Sequence, residues 1–130
     1  MSNVNSCPSG SGIAYTSCCG TYIEGHATAL TAKQLMRSRY SAYVMKAGDY
    51  VLRTWDATTR PQLYELRRAM SVTWLDLKII EIIGGGENDT EGTVEFVTRH
   101  KVNGRALRLH ECSSFRRLNG QWFYVDGTMK

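Results

Sequence analysis

Three of the four cysteines, Cys7, Cys18 and Cys19, lie close together near the start of the chain. The glycines between Cys7 and Cys18 allow the backbone to fold tightly enough to bring these thiols together. A structural zinc site takes four ligands, usually thiolates with or without a histidine. The spacing therefore predicts a metal-binding knuckle over about residues 6–20, with one thiolate fewer than a tetrahedral zinc site needs.

The fourth ligand is the open point of this predicted site. Ser9 stands where a Cys-x-Cys pair would place the missing thiolate, and a serine hydroxyl is a poor zinc ligand at neutral pH. His26, which follows on a flexible segment, or a water molecule could complete the site. Three alternatives stay open: an open zinc site with a catalytic role beside Glu24 and His26, a disulfide from Cys7 to one of the other two cysteines, and a site too weak to hold metal.

A second group of residues, in the rest of the chain, could form a pocket or a polar network. Proton-transfer catalysis needs a carboxylate or histidine at a pocket and a donor that stabilises developing negative charge. His110 and Glu111 are neighbours in a strand-like segment, so their side chains point to opposite faces and cannot act as a pair. The candidate residues are Arg37, Arg39, Tyr40, Trp55, Asp56, Arg60, His110, Trp122 and Tyr124.

The interpretation that we favour for this second group is structural, and no catalytic residue is assigned. Arg37 and Arg39 on one helix, together with Asp56 and Arg60, would form ion pairs that hold that helix against the next corner of the chain. The aromatic residues near the C-terminus are typical of a half-buried strand. The alternatives are ligand binding without chemistry, and an isomerase or dehydratase that uses His110 or Asp56 as proton carrier. Cys112 is predicted to be a small apolar strand residue.

Helices are predicted in the first half of the chain after the knuckle. Thr31 followed by Gln34 is a capping box that starts the first helix, and Gly48 is expected to end it. A second short helix is predicted over Tyr50–Trp55, capped by Asp49. The segment between the knuckle and Thr31, residues 21–30, is predicted to be a linker.

A third helix is predicted to open at Arg60-Pro61, because proline suits the first helical turn. Its buried side would consist of Leu63, Leu66 and Met70, which follow each other at helical spacing.

From Ser71 onwards the pattern has the period of two that is typical of strands. A phase slip at Ile79-Ile80 indicates a bulge in the first strand. Asn103-Gly104 and Asn119-Gly120 are two-residue hairpin turns that separate the later strands. Helices followed by a four-stranded antiparallel meander predict an α+β fold, with the helices on one face of the sheet.

Composition limits the classes of function. The chain has 130 residues and a net charge of +4, with basic residues scattered singly or in pairs among acidic ones. A nucleic-acid surface concentrates its positive charge, so this distribution argues against a nucleic-acid partner. No apolar run is long enough to span a bilayer, and Met1–Ser6 lack the basic and apolar parts of a signal peptide. We therefore expect a cytoplasmic protein that does not insert into membranes.

The knuckle resembles a known motif. Cys7-Pro8-Ser9-Gly10-Ser11-Gly12, then Tyr15 and Cys18-Cys19-Gly20, are similar to the SEC-C motif, which usually carries cysteine where this chain has Ser9. Further segments resemble the YchJ family, whose members carry a SEC-C knuckle ahead of a domain similar to nuclear transport factor 2. These segments are Leu35–Tyr43, Thr54-Trp55-Asp56, Arg60-Pro61, His110-Glu111 with Phe115, and Asn119–Gly127.

The resemblance implies a division into two units, a knuckle with its linker over residues 1–24 and an α+β domain over residues 25–130. The domain would be a cone of about three helices packed on a curved four-stranded antiparallel sheet, with a cavity between them. For the knuckle the resemblance implies one zinc ion, with affinity in question because of Ser9. The predicted function is a non-catalytic adaptor: the knuckle presents a surface to a protein partner, and the domain binds a second partner or dimerises.

Overall fold

The computed structural model describes residues 6–130. Residues 1–5 lie outside the described residues. The prediction of no signal peptide and the start of the predicted knuckle unit both depend on them. Its helices are α1 Cys19–Ile23, α2 Ala32–Val44, α3 Gly48–Arg53 and α4 Leu63–Met70, and a 3₁₀ turn over Tyr15–Ser17 precedes them. Its strands are β1 Thr73–Gly84, β2 Glu91–Val102, β3 Arg105–Leu118 and β4 Gln121–Met129. Within residues 6–130, no helix has both the length and the apolar character that crossing a bilayer requires.

The four strands form one antiparallel sheet in the order β1-β2-β3-β4, so each strand pairs with its neighbour along the chain. The two Asn-Gly turns connect β2 to β3 and β3 to β4. Asn103 and Gly104 have φ of 52° and 80°, and Asn119 and Gly120 have φ of 52° and 81°. Positive φ at both turn residues matches the right-handed twist of the flanking strands. The predicted α+β fold, its four antiparallel strands and both hairpin turns are confirmed.

The sheet contains bulges that bend its strands. In β1 the register shifts between Trp74 and Asp76 and again between Ile79 and Glu81, which confirms the predicted irregularity at Ile79-Ile80. A third shift lies between the pairs Ser114–Asp126 and Phe115–Tyr124, where Val125 of β4 is the extra residue. Each bulge adds local twist and bends the strand that carries it.

Helix α2 is the element that joins the sheet to the rest of the molecule. The Thr31 hydroxyl accepts a hydrogen bond from the backbone N–H of Gln34 at 3.1 Å, as the capping signal predicts. The Gln34 side chain accepts from the backbone N–H of Leu30 at 2.7 Å, one residue earlier than in the usual capping box. The buried core consists mainly of α2 side chains packed against the inner face of the sheet: Leu35, Met36, Tyr40, Val94, Phe96, Phe115 and Trp122.

Helix α2 ends at Val44, four residues before the predicted stop at Gly48. Lys46 takes the left-handed conformation that ends many helices, with φ of 62°. Its ammonium group donates hydrogen bonds to the carbonyls of Met70 and Val72, which compensates for a conformation that usually favours glycine. Gly48 instead begins α3, whose N-cap is Ala47 rather than the predicted Asp49.

Helix α4 begins two residues after the predicted Arg60-Pro61 opening. Gln62 is its N-cap and forms a capping box with Glu65, a pairing that the proline rule did not indicate. Leu63 is 52% exposed, so the predicted buried side of this helix was wrong at that position. Leu66 is the buried anchor of α4, packed against Tyr50 and its neighbours.

The segment that was predicted as a linker is partly ordered into α1. This helix runs to Ile23, and the backbone N–H groups of His26 and Ala27 both donate to the Thr21 carbonyl. Tyr22 packs against the main core. The N-terminal segment therefore lies directly on the helices and sheet that follow it.

Candidate functional site

The three predicted metal ligands lie together. The sulfur atoms of Cys7, Cys18 and Cys19 are all within 4.8 Å of one another, and the thiols are free. Cys7 and Cys19 are buried and Cys18 is half-buried. In a tetrahedral site with Zn–S bonds of about 2.3 Å, neighbouring sulfurs lie about 3.8 Å apart. Three thiols in this arrangement could therefore hold a metal ion.

A tight loop brings Cys7 back towards the other two cysteines. The backbone N–H of Cys7 donates to the Ile13 carbonyl at 2.9 Å, and that of Gly10 donates to the Cys7 carbonyl at 3.1 Å. Gly10 and Gly12 have φ of 79° and 80°, a region that glycine enters at little cost. Gly10 and Gly12 therefore allow the tight loop that the sequence predicts.

Three serine hydroxyls surround the thiols. The fully buried Ser9 places its Oγ 3.2 Å from Cys7 Sγ, and Ser41 of α2 places its Oγ 3.5 Å from the same sulfur. Ser11 Oγ lies 3.2 Å from Cys18 Sγ. Ser9 therefore stands beside the cluster, where the resemblance expected a thiolate. Ser41 was missed, because only the packing of the knuckle on α2 brings it near.

His26 does not join the cluster. Its ring is 74% exposed and lies 3.9 Å from the carboxylate of Glu24. The described side chains therefore offer oxygen rather than nitrogen as a fourth donor beside the thiols.

The hydrogen bonds around Cys7 determine how the cluster is charged before metal enters. The pKa of the Cys7 thiol is lowered because the Cys19 thiol and the hydroxyls of Ser41 and Ser9 donate to its thiolate. The pKa of Cys19 is raised, since its thiol donates to Cys7 and is also buried. Because metal ligands must be deprotonated, a bound metal ion would have to displace the proton that the Cys19 thiol donates to Cys7.

Arg37 ties the loop to α2. Its guanidinium Nη1 donates to the Ser9 carbonyl at 2.8 Å. Arg37 therefore fixes the cysteine loop rather than joining an ion pair with Asp56.

The buried carboxylate of Asp56 pairs with Arg116 of β3, at 2.5 Å from Nε. Asp56 also accepts hydrogen bonds from the backbone N–H and the hydroxyl of Thr58. These donors hold the pKa of the Asp56 carboxyl well below its usual range, with Arg116 contributing most. Arg60 donates to the Trp55 carbonyl instead of to Asp56. The predicted ion-pair network was therefore wrong in its partners, because Arg116, distant in sequence, supplies the charge.

A cavity of about 210 Å³ lies between α2 and the inner face of the sheet. Four predicted pocket residues line it, namely Arg39, Tyr40, Trp55 and Tyr124. The lining that the sequence analysis did not assign to a pocket includes Met36, Tyr43, Ala69, Trp74, Phe96, Thr98, Leu109, Glu111 and Ser113. Trp122 does not line this cavity; it is buried in the core and its indole N–H donates to the Leu30 carbonyl at 3.1 Å.

Arg39 is the charged group at the centre of the cavity wall. It is only 5% exposed, and its guanidinium carbon lies 4.9 Å from the Trp55 ring centroid and 4.5 Å from that of Tyr124. One of its nitrogens, Nη1, donates to the Val51 carbonyl and the Thr54 hydroxyl, each at 2.8 Å. Within residues 6–130, no carboxylate oxygen lies within 4.0 Å of it; dipoles and aromatic faces contact this buried cation, and the carboxylate of Glu111 acts on it from a greater distance.

His110 and Glu111 lie on opposite faces of β3, as the alternation predicts. Glu111 lines the cavity and accepts a hydrogen bond from the Ser113 hydroxyl at 2.6 Å. His110 pairs with Glu95 at 2.6 Å and does not line the cavity. Neither of the proton carriers considered for an enzyme, His110 and Asp56, reaches the cavity.

The cavity wall is rich in hydrogen-bond donors. The indole N–H groups of Trp55 and Trp74 are buried and have no acceptor among residues 6–130. Burial raises the pKa of Tyr40 to about 12 and also raises that of Tyr124, so both phenols stay protonated at neutral pH. An unpaired buried donor costs about 1–3 kcal/mol, and these two indole nitrogens have almost no accessible surface.

Comparison with known sequences relates the chain to one family model and to proteins of several bacteria. Residues 31–127 match the family model described as YchJ, middle NTF2-like domain. A UPF0225 protein of Chromobacterium violaceum is 48% identical over 123 residues, which cover 93% of this chain and 90% of that protein. A UPF0225 protein of Ralstonia nicotianae is 46% identical over 133 residues, covering 95% and 90%.

Two solved structures resemble the fold. The solution structure of a SEC-C motif containing protein from Rhodopseudomonas palustris is 34% identical, with a TM-score of 0.86, and the match covers 94% of this chain and 96% of that one. The crystal structure of a SEC-C motif containing protein from Psychrobacter arcticus is 24% identical, with a TM-score of 0.76, and resembles this chain in fold.

Proposed function

The chain belongs to the UPF0225 family of YchJ-like proteins with an NTF2-like domain, and we propose that it is a non-catalytic binding module whose N-terminal knuckle is held together by one zinc ion. The observation that carries this proposal is the convergence of three thiols within 4.8 Å. The similarity to a SEC-C motif protein over nearly the whole chain supports it.

Zinc in this proposal is structural. Cys7, Cys18 and Cys19 would be its protein ligands, and a zinc ion would supply a cross-link in a loop that has too few apolar side chains to order itself. We place the fourth ligand at an oxygen, either the Ser9 hydroxyl or a water held by the hydroxyls of Ser9 and Ser41. Their short distances from Cys7 Sγ support this choice.

The proposal includes a cytoplasmic location. The four cysteines are free thiols, and disulfides are rare in the cytosol, where thiols are kept reduced.

Zinc analysis of the purified protein tests the metal part. We expect about one zinc per chain in the native protein and a large loss of zinc in Cys7→Ser. The matched control is Cys112→Ser, which removes a thiol of β3 that lies outside the cluster and should leave the zinc content unchanged. Native protein that is folded and lacks zinc when prepared with the metal present would sink this proposal.

The adaptor part of the proposal assigns a protein partner to the knuckle. It is supported by the position of Ile13, a large apolar side chain that is 50% exposed beside the cysteine loop. The described residues place no histidine or carboxylate next to the thiols, so nothing there suggests hydrolytic chemistry.

A surface substitution tests the adaptor without disturbing the cluster. We expect Ile13→Asp to lose partners that the native chain retains in a pull-down, whereas Leu63→Asp, an equally exposed change on α4, should keep them. Light scattering on the same samples separates dimerisation from capture of another protein. Equal recovery by both variants would leave the knuckle without an adaptor role.

The cavity supports a second candidate function, the binding of a small molecule without chemistry. Its wall carries the buried cation of Arg39, which a bound acceptor would stabilise. His110 and Asp56, the two proton carriers that the isomerase or dehydratase mechanism depended on, do not line it, and Glu111 is the carboxylate that does.

A further inference from the structure

The cavity between α2 and the sheet combines flat aromatic walls with polar groups of two kinds. Trp55, Trp74 and Tyr124 supply aromatic surface. Arg39 is a donor on this wall, and the carboxylate of Glu111 is an acceptor. Aromatic rings stack best on other flat rings, so the walls favour a planar occupant.

The size of the cavity limits that occupant. Its volume of about 210 Å³ is below the range of about 300–1,000 Å³ that drug-sized ligands occupy. A molecule of one ring, or of two small fused rings, fits such a space.

Charge decides between an anionic and a neutral occupant. Arg39 contributes one positive charge and Glu111 one negative charge to the same wall, so a carboxylate ligand would leave the cavity with an unbalanced negative charge. A neutral ligand keeps the balance, provided that it offers an acceptor to Arg39 and a donor to Glu111.

We infer that this cavity binds a neutral, planar heteroaromatic molecule with carbonyl oxygens and ring N–H groups on its edge, the chemical class of the nucleobases. This inference rests on the second candidate function, small-molecule binding in the cavity. The ring stacks against the aromatic walls, a carbonyl oxygen accepts from Arg39, and a ring N–H group donates to Glu111.

Calorimetric titration of the full chain with uracil and with xanthine tests the inference, with tryptophan fluorescence as a second readout. We expect saturable binding of at least one of them and a binding at least about tenfold weaker for 1,3-dimethyluracil, which keeps the carbonyls and lacks the N–H groups. Benzoate, an anion with a flat six-membered ring, is expected to bind at least about tenfold more weakly than uracil.

Variants assign the contacts. Glu111→Gln should weaken binding by about tenfold or more, because it removes the charged acceptor of a buried hydrogen bond. Glu95→Gln is the matched control, since this carboxylate pairs with His110 and does not line the cavity. Gly127→Ala tests the role of Glu111 in a second way. A Cβ at this position would lie 2.0 Å from Glu111 Oε2 and must displace the carboxylate.

The outcomes separate the two levels of the inference. Tighter binding of benzoate than of uracil, or equal binding of uracil and 1,3-dimethyluracil, would overturn the ligand class and leave small-molecule binding in place. No binding of uracil, xanthine, benzoate or toluene by the folded chain would overturn both.

Discussion

The identity of residue 9 sets how strongly the cysteine cluster can hold a metal ion. Ser9 is fully buried with its hydroxyl 3.2 Å from Cys7 Sγ, so a thiol at this position would need no rearrangement of the loop to approach the cluster. We predict that Ser9→Cys raises zinc affinity by at least about tenfold, because a fourth thiolate replaces a weak oxygen donor. Competition with a chromophoric chelator measures the change.

Two further serine variants make this comparison specific. Ser9→Ala removes the hydroxyl without adding a ligand, and it should lower zinc affinity if Ser9 or a water bound to it completes the site. Ser71→Cys, an exposed position after α4, adds a thiol away from the cluster and should leave the affinity unchanged. An unchanged affinity in Ser9→Cys would mean that the fourth position lies elsewhere.

Asp56 makes the stability of the fold dependent on acid. Its pKa is lowered in the folded chain by Arg116 and by the Thr58 donors, whereas in the unfolded chain it returns to about 3.9. Between these two pKa values the unfolded state binds more protons, so the stabilisation is complete above the unfolded value and is lost as pH falls towards the folded one. We predict that the free energy of unfolding of the native chain falls more steeply below about pH 4 than that of Asp56→Asn.

Urea unfolding at a series of pH values measures this difference. Asp49→Asn is the matched control, because Asp49 forms only an exposed pair with Arg53 and its loss should leave the slope as it is in the native chain. Parallel slopes for the native chain and Asp56→Asn would show that another carboxyl carries the acid dependence.

At the level of elements, α2 holds both candidate sites. Ser41 and Arg37 of this helix contact the cysteine loop, while Arg39 and Tyr40 line the cavity. A change at the start of α2 should therefore affect both the cysteine loop and the cavity.

The N-cap of α2 provides the test. Thr31→Ala removes the hydroxyl that accepts from the Gln34 N–H, and we predict a loss of about 1 kcal/mol in the free energy of unfolding. Lys33→Ala in the same first turn is exposed and should change it by no more than about 0.5 kcal/mol. Equal effects of the two substitutions in urea unfolding would show that the cap contributes nothing of its own.

The accuracy of the sequence predictions followed the range of the interactions involved. Local signals were reliable: the Thr31 cap, the Asn-Gly turns and the slip at Ile79-Ile80 each depend on residues a few positions apart. The end of α2 was wrong because Lys46 reaches across to carbonyls after α4, a contact that compensates for its left-handed backbone. A local rule that expects glycine at such a position cannot include that contact.

The same limit applied to the sites. The thiols were predicted correctly as a group because they are close in the sequence, and so was the separation of His110 from Glu111 by the alternation of a strand. Ser41 and Arg116 could not be predicted, since only the docking of distant elements brings them to Cys7 and Asp56. The cavity role of Trp74 likewise depends on where a bulge turns β1.

At the level of the whole molecule, the cysteine loop packs against the domain that follows it. Arg37 donates to the Ser9 carbonyl, Ser41 contacts Cys7, and Tyr22 of α1 packs against the main core. A metal ion at the thiols would therefore stabilise a segment whose partners belong to the core of α2 and the sheet. The loss of metal should therefore lower the stability of the whole domain.

We predict that removing zinc with a chelator lowers the Tm of the full chain by about 10 °C in one transition. Zinc at about a hundred times its dissociation constant contributes about 2.7 kcal/mol, and each kcal/mol is worth about 4 °C in a chain of this size. Thermal unfolding followed by near-ultraviolet and far-ultraviolet circular dichroism measures the shift, and returned zinc should restore it. Cys7→Ser should have the lower Tm without chelator, and the chelator should not change its Tm. Cys112→Ser should respond like the native chain. A chelated native chain that loses no Tm, or melts in two separate steps, would mean that the knuckle folds independently of the domain it contacts.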